Sequence, residues 1–316
     1  MSLAFIFPGQ GSQALGMGKA LAEVSPAARA VFAEVDDALG QPLSKLMWEG
    51  PEADLTLTEN AQPALMAVSL AVMRTLEAEH GIRLEDVAKF VAGHSLGEYS
   101  ALAAAGTFSL ADAARLLKVR GRAMQKATPV GIGAMAALLG LDYPDAAAIA
   151  QAAAQNEICQ AANDNAPGQV VISGHKAAVE RAVALAKGKG AKRAVMLAVS
   201  APFHCALMQP AAEAMAKALA NTPMRPPTVP IVTNVLAAPL TDPDEIRKAL
   251  VAQVTGTIRW RESMAFMAAQ GVKLFCEVGS GKVLSGLVKR TAPEAMGLAL
   301  GTPADIAQGA AQLKQG

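Results

Sequence analysis

The sequence predicts an α/β protein: a mostly parallel sheet flanked by helices, interrupted by an inserted subdomain. Three observations predict it. Short apolar runs alternate with helical-period segments towards both ends of the chain. Midway, over about 70 residues, the order becomes strand, helix, strand, strand, helix, strand, the ferredoxin-like split pattern. One apolar run passes directly into a Gly-x-Ser-x-Gly turn and then a helix, an arrangement that a parallel sheet presents at its carboxyl edge.

The elements follow in order. Residues 3–7 form an apolar run closed by Pro8-Gly9, a strand and then a loop. Residues 25–39 carry helical spacing, with Ser25 as N-cap and Pro26 at the first helical position. A second long helix spans 62–79, opened by Pro63. Residues 90–92 are a short strand, 99–104 a helix, and 110–125 an amphipathic helix bearing Arg115, Lys118, Arg120 and Arg122. The texture changes near Thr128. A Gly-rich entry leads into a strand within 129–141, then an Ala-rich helix over 145–155. Strands follow at 159–162 and 170–173, separated by the turn-rich Asn163–Gly168 stretch NDNAPG. A helix over 176–188 and a strand over 194–199 complete the unit. The chain then returns to the body: helix 208–220, strand 231–234, helices 246–253 and 261–270, and a final strand 274–278 before GSGKVL. The expected organisation is a body of residues 1–127 and 199–316 with an insertion of 128–198.

Composition bounds the function. The 316 residues are 52% hydrophobic and 17% charged, which excludes disorder and allows a large core. Net charge is +1, and aromatic residues are few (8 Phe, 2 Tyr, 2 Trp), which argues against a nucleic-acid surface. No apolar stretch approaches the roughly 18 residues that a membrane-spanning helix needs. The N-terminus has no basic n-region of a signal peptide. Cys159, Cys205 and Cys276 are sparse and lack zinc spacing, so a reducing, cytoplasmic compartment is expected.

The sharpest chemical signal is Gly93-His94-Ser95-Leu96-Gly97. It sits directly after a strand and directly before a helix, where a nucleophile elbow must sit. So tight a turn admits only small residues on either side of the serine. The following helix N-terminus favours developing negative charge. The structural alternative is a plain strand-to-helix turn. A serine nucleophile needs a base, and the chain has four histidines. His94 adjoins Ser95 on the turn, so its ring points elsewhere. His80 precedes Gly81 at a helix end, a capping position. His175 follows Gly174 at an exposed turn. By elimination His204 is the candidate, in the Pro-containing loop SAPFHCALM; the alternative is a structural loop histidine. No acid stands out as a third member, and a backbone carbonyl can orient the ring instead. The segment FPGQGSQ (7–13) has two readings. Gly9-x-Gly11-x-x-Ala14 fits a dinucleotide loop, which would need an acid about 20 residues on; Glu34 and Asp36 have that spacing but fall in a helical pattern. The other reading is a loop donating backbone N–H groups to an oxyanion.

FPGQGSQ (7–13), GHSLGEYSALAAAG (93–106), VRGRAMQ (119–125), PFHCALM (202–208) and EVGSGKVLSGL (277–287), in order over nearly the whole chain, together resemble the malonyl-CoA:acyl carrier protein transacylases. The resemblance implies a hydrolase-like α/β body with an inserted ferredoxin-like subdomain. It implies Ser95 as nucleophile and His204 as general base and acid. Gln10 and Leu96 would supply oxyanion-hole N–H groups, and Arg120 would bind the malonyl carboxylate, a bidentate match for a guanidinium. The alternative for Arg120 is a solvated helix charge, the fate expected for Arg115, Lys118 and Arg122. Gln253, in LVAQV, matches the position whose backbone carbonyl holds the histidine. Phe203, beside His204, would crowd the extra methyl of methylmalonyl. The implied reaction is ping-pong transfer from malonyl-CoA to the phosphopantetheine thiol of an acyl carrier protein, supplying fatty acid synthesis. It calls for no metal or redox cofactor, CoA thioester being a substrate. The sequence carries no signal of oligomeric state, and a monomer is the default expectation. Lys187, Lys189, Lys192 and Arg193 form a basic cluster that would meet an acidic carrier protein, or be merely a solvated turn. A serine thioesterase on the same fold, a polyketide or malonate-decarboxylase-associated malonyltransferase, a decayed binding module and a dinucleotide oxidoreductase are the competing functions.

Overall fold

The computed structural model describes residues 2–199 and 201–315. Ser200, the first residue of the SAPFHCALM loop, lies outside them, as do Met1 and Gly316. Among the described residues, ten strands form two sheets. They are β1 (Leu3–Phe7), β2 (Ala88–Gly93), β3 (Gly133–Leu139), β4 (Cys159–Ala166), β5 (Gln169–His175), β6 (Arg193–Met196), β7 (Ile231–Val232), β8 (Pro239–Leu240), β9 (Leu274–Val278) and β10 (Met296–Leu300).

The larger sheet has the order β10-β9-β1-β2-β7-β8 and is parallel except for the last pair. β1 lies at its centre, and all five of its residues are buried. Leu3, Phe5 and Phe7 face one apolar cluster; Ala4 and Ile6 face another. A continuous apolar run is what a strand covered on both faces requires. The long helix Thr58–His80 packs on one face, through Leu65, Val68, Val72 and Leu76. On the other, Trp260, Met264 and Met267 of the helix Trp260–Ala269 meet Ile6 and Phe275.

The smaller sheet is antiparallel, with the order β4-β5-β3-β6. The helices Tyr143–Ala154 and Lys176–Gly188 cover one face through Ile149, Ala150, Val179 and Ala182, which pack on Ala136, Leu138, Val170 and Ile172. The alternate residues Met135 and Val171 turn the other way and line a cleft against the larger sheet. β4 is pinned to the body: Ile258 N–H donates to Ala162 O at 2.8 Å, Asp164 N–H donates to Ile258 O at 2.9 Å, and Arg261 pairs with Asp164 at 2.7 Å.

Several sequence expectations need correction. The strand 274–278 is not final; β10 follows and forms the sheet edge. Its partly exposed, Gly-containing run MGLAL carries only a weak strand signal. The stretch NDNAPG is not all turn: β4 continues to Ala166, and only Pro167 and Gly168 connect it to β5. Its Asn and Asp residues hold strand geometry through the contacts to Ile258 and Arg261. Pro63 does not open its helix, which starts at Thr58 and contains the proline. As the sixth residue of the helix, Pro63 gives up the one main-chain bond that an N–H there would make to the Glu59 carbonyl. The helices Leu43–Glu49, Val283–Thr291 and Pro303–Gln315 have no counterpart in the periodicity reading. The strands at 194–199 and 231–234 are shorter than expected, Arg193–Met196 and Ile231–Val232.

Candidate active site

β2 ends at Gly93, and the helix Gly97–Ala104 begins four residues later. Ser95 between them holds φ of +53°, the left-handed region that side chains rarely adopt. Two glycines make the turn possible. A Cβ on Gly93 would lie 1.9 Å from the Gly97 carbonyl carbon, and one on Gly97 would lie 2.3 Å from Phe7 O of β1. Asn234, just after β7, staples the turn: its Oδ1 accepts from Ser95 N–H at 2.8 Å and its Nδ2 donates to Gly93 O at 2.7 Å.

His204 comes from the loop after β6 and also holds a positive φ, +58°. Its Nε2 lies 2.8 Å from Ser95 Oγ. Its Nδ1 lies 2.9 Å from the Gln253 backbone carbonyl, which only accepts, so the proton sits on Nδ1 and Nε2 offers its lone pair to the serine. The ring is 4% exposed. Burial first, and the nearby Arg120 guanidinium second, push its pKa down to about 3. It is therefore neutral, and able to accept a proton, across the physiological range.

Arg120 is 1% exposed. Its hydrogen bonds go to neutral partners: Gln62 Oε1 at 2.9 Å, Ser95 Oγ at 3.2 Å and Gln253 Oε1 at 2.8 Å. Its guanidinium stands 5.6 Å from the Tyr99 ring centroid. Its Nε is buried without a hydrogen-bond partner among the described residues. A buried cation whose hydrogen bonds all go to neutral groups, with the Glu98 carboxyl near it but not bonded to it, is poised for an anion. Gln10, Ser95, Leu96, Arg120, Phe203 and His204 line one cleft of about 520 Å³ between the two sheets. Gln253 lies behind it, fully buried.

Of the other histidines, His94 also lines the cleft, whereas His80 and His175 do not. His94 turns away from Ser95, donates to Asn165 Oδ1 and packs on Trp260. His80 ends its helix, and Gly81 in left-handed conformation provides the cap. His175 is not exposed: half-buried at the end of β5, it accepts the Ile158 N–H at Nδ1. Lys118 is also misjudged as solvated. It is buried and donates to Gln41 Oε1 and Asn60 Oδ1, both at 2.8 Å, because its helix face is covered by the start of Thr58–His80. Arg115 and Arg122 are exposed and pair with Asp112 and Glu59. Lys187, Lys189, Lys192 and Arg193 are all exposed. The dinucleotide reading fails on topology: Glu34 and Asp36 lie in the helix Pro26–Leu39, and the strand beside β1 starts only at Ala88.

Four residues of the site escaped the sequence reading: Gln62, Glu98, Asn234 and the side chain of Gln253. The Gln253 amide donates from Nε2 to Glu98 Oε2 at 2.7 Å and to Ser95 O at 2.9 Å, while its Oε1 faces Arg120. The only sequence signal is a polar residue in a largely apolar run, at Asn234 and Gln253; Gln62 and Glu98 have polar neighbours and give none.

A parallel α/β sheet that sets a serine hydroxyl against a histidine at a strand-to-helix elbow, beneath a buried arginine, defines an acyl-transfer enzyme. The chain belongs to the acyl transferase domain family, which it matches over residues 4–307. It is 48% identical over 304 residues to the malonyl CoA-acyl carrier protein transacylase of Escherichia coli strain K12, covering 96% of this chain and 97% of that one. It superposes with a TM-score of 0.97 on the crystal structure of an acyl-carrier-protein-S-malonyltransferase from Bartonella henselae, at 56% identity and 99% and 100% coverage. A malonyl-transacylase solved in complex with its type II PKS acyl-carrier protein gives a TM-score of 0.95 at 43% identity, covering 99% and 100%.

Proposed function

We propose that this enzyme transfers the malonyl group of malonyl-CoA to the phosphopantetheine thiol of an acyl carrier protein, through an ester on Ser95, supplying fatty acid synthesis. The observation that carries the reading is the Ser95 Oγ shared by His204 Nε2 at 2.8 Å and the buried Arg120 guanidinium at 3.2 Å. His204 takes the hydroxyl proton as Oγ attacks the thioester carbonyl. The carbonyl oxygen gains charge and is met by the backbone N–H groups of Gln10 and Leu96. The tetrahedral intermediate collapses, and the CoA sulfur leaves with the proton returned from His204. The carrier-protein thiol then repeats the sequence, giving its proton to His204 and releasing Ser95.

Arg120 selects the acyl group. The malonyl carboxylate would complete the hydrogen bonding of a guanidinium now held by neutral partners. It would also offset the positive charge that depresses His204, so the base gains proton affinity when the correct substrate is bound. Phe203, 8% exposed in the cleft wall, limits bulk near His204. Phe203→Ser is expected to raise the methylmalonyl-to-malonyl ratio of kcat/KM by about tenfold, a change of one small group in a pocket. Comparable use of both substrates by the unaltered enzyme would overturn that specificity.

The finer architecture belongs to the same proposal: a hydrolase-like body at 1–127 and 199–316 and a ferredoxin-like subdomain at 128–198, working as a cytoplasmic monomer. The sheet order β4-β5-β3-β6 supports the subdomain, and three free, buried cysteines suit the compartment. The test is intact-mass and peptide mass spectrometry after incubation with malonyl-CoA alone. A malonyl adduct on Ser95 that persists, then moves to added carrier protein, is expected. Rapid CoA release without an adduct would make the enzyme a thioesterase, and neither adduct nor release would remove malonyl-CoA as donor.

A further inference from the structure

Glu98 plays no part in the steps above, yet its carboxyl lies directly behind them. It is the second residue of the helix Gly97–Ala104, and it is 0% exposed. Oε2 accepts from Gln253 Nε2 at 2.7 Å and from Asn234 N–H at 3.3 Å. Oε1 has no hydrogen-bond partner among the described residues. Arg120 and Tyr99 are the ionisable groups that face it. A carboxyl so placed is costly to bury, and a simple core position would be filled better by leucine.

We propose that Glu98 is a positioning residue that acts through the side chain of Gln253; the inference rests on the Ser95 acylation reading and deepens it. The Gln253 amide has two ends. Oε1 accepts from Arg120 Nη2 at 2.8 Å, and Nε2 donates to Glu98, to Ser95 O and, at 3.3 Å, to Asn234 Oδ1. A flipped amide would aim its N–H groups at the guanidinium, donor against donor, and its oxygen at the Glu98 carboxyl. Glu98 supplies the shortest of the three contacts that hold the amide in the orientation Arg120 needs. The backbone carbonyl of the same Gln253 holds His204 Nδ1 at 2.9 Å. One residue therefore ties the acid-binding guanidinium, the base and the elbow together, and Glu98 anchors it.

The test compares kcat/KM for malonyl-CoA and acetyl-CoA in the wild type, Glu98→Gln, Glu98→Leu, Gln253→Met and the double variant Glu98→Leu/Gln253→Met. Glu98→Gln keeps an acceptor for Nε2, so both rates are expected within about threefold of wild type. Glu98→Leu is expected to lower malonyl kcat/KM by about 30-fold and the malonyl-to-acetyl ratio by about tenfold, since Arg120 reads only the malonyl carboxylate. The double variant is expected to be no worse than Gln253→Met by more than about threefold, because both changes break one linkage. An unchanged ratio in Glu98→Leu, or losses that multiply in the double variant, would overturn the role. Should Glu98→Leu fail to fold, a Gln253→Met variant with the wild-type ratio overturns it equally, and one with a lowered ratio together with near-wild-type Glu98→Gln supports it. A wild type that forms no malonyl ester overturns the function reading itself, whereas an ester with an unchanged Glu98→Leu ratio removes only the positioning role.

Discussion

At the residue scale, His204 shows how burial sets chemistry. Its folded pKa of about 3 lies below the ordinary histidine value of 6.5. Between those values the unfolded chain binds a proton that the folded ring refuses, so this group's contribution is intact above pH 6.5 and is lost as pH falls towards 3. His204→Ala lacks that dependence. The stability gap between wild type and His204→Ala, read by urea denaturation, is expected to shrink by about 2 kcal/mol between pH 7.5 and pH 5. A gap independent of pH would show that the folded ring takes the proton freely. Glu98 pulls the other way: burial lifts its carboxyl to about 7 from 4.5, so acidification over that interval relieves a penalty. The histidine was legible in the sequence by elimination. Its depressed pKa was not, because burial is a property of the folded chain and Arg120 reaches the ring from 84 positions away.

At the scale of the element, the elbow is a steric solution before it is a chemical one. β1 runs beside β2, and the carbonyls of Phe7 and Pro8 leave no space over Gly97. Gly97→Ala is expected to cost about 3 kcal/mol or more, since backbone rather than a flexible side chain must yield, and to depress acylation of Ser95 along with stability. Wild-type denaturation midpoints in this variant would refute the steric account. The strand–turn–helix was legible because glycine spacing and an apolar run are local signals. β10 and the helix Leu43–Glu49 were not, since short or partly exposed elements carry little periodicity and are stabilised by what packs on them. The asparagines of β4 read as a turn for the same reason: Asn163 pairs in a parallel bridge with Ile258, almost a hundred residues away.

For the whole molecule, the cleft exists because two sheets with different jobs face one another. The larger sheet carries Ser95 and Gln10; the smaller contributes Met135, Asn163 and Val171 to the opposite wall. The basic residues Lys187, Lys189, Lys192 and Arg193 lie exposed on the smaller unit. Charge reversal of Lys189 and Arg193 is expected to raise the KM for carrier protein about tenfold, more at low salt, while leaving Ser95 acylation by malonyl-CoA intact. An unchanged KM would mark the cluster as a solvated turn.

The sequence by itself determined the class of fold, the inserted antiparallel unit, the serine at its elbow and the residues brought to it from distant segments, because alternation, glycine spacing and ordered motifs are written along the chain. Tertiary structure alone decided which polar side chains hold the site together. Gln62, Glu98, Asn234 and the side chain of Gln253 come from four separate segments, and nothing in each segment alone marks these side chains as partners. Their meaning arises only when folding removes water, since a buried guanidinium, carboxyl and amide must then satisfy one another at 2.7 to 3.3 Å. Linear spacing holds no record of that requirement.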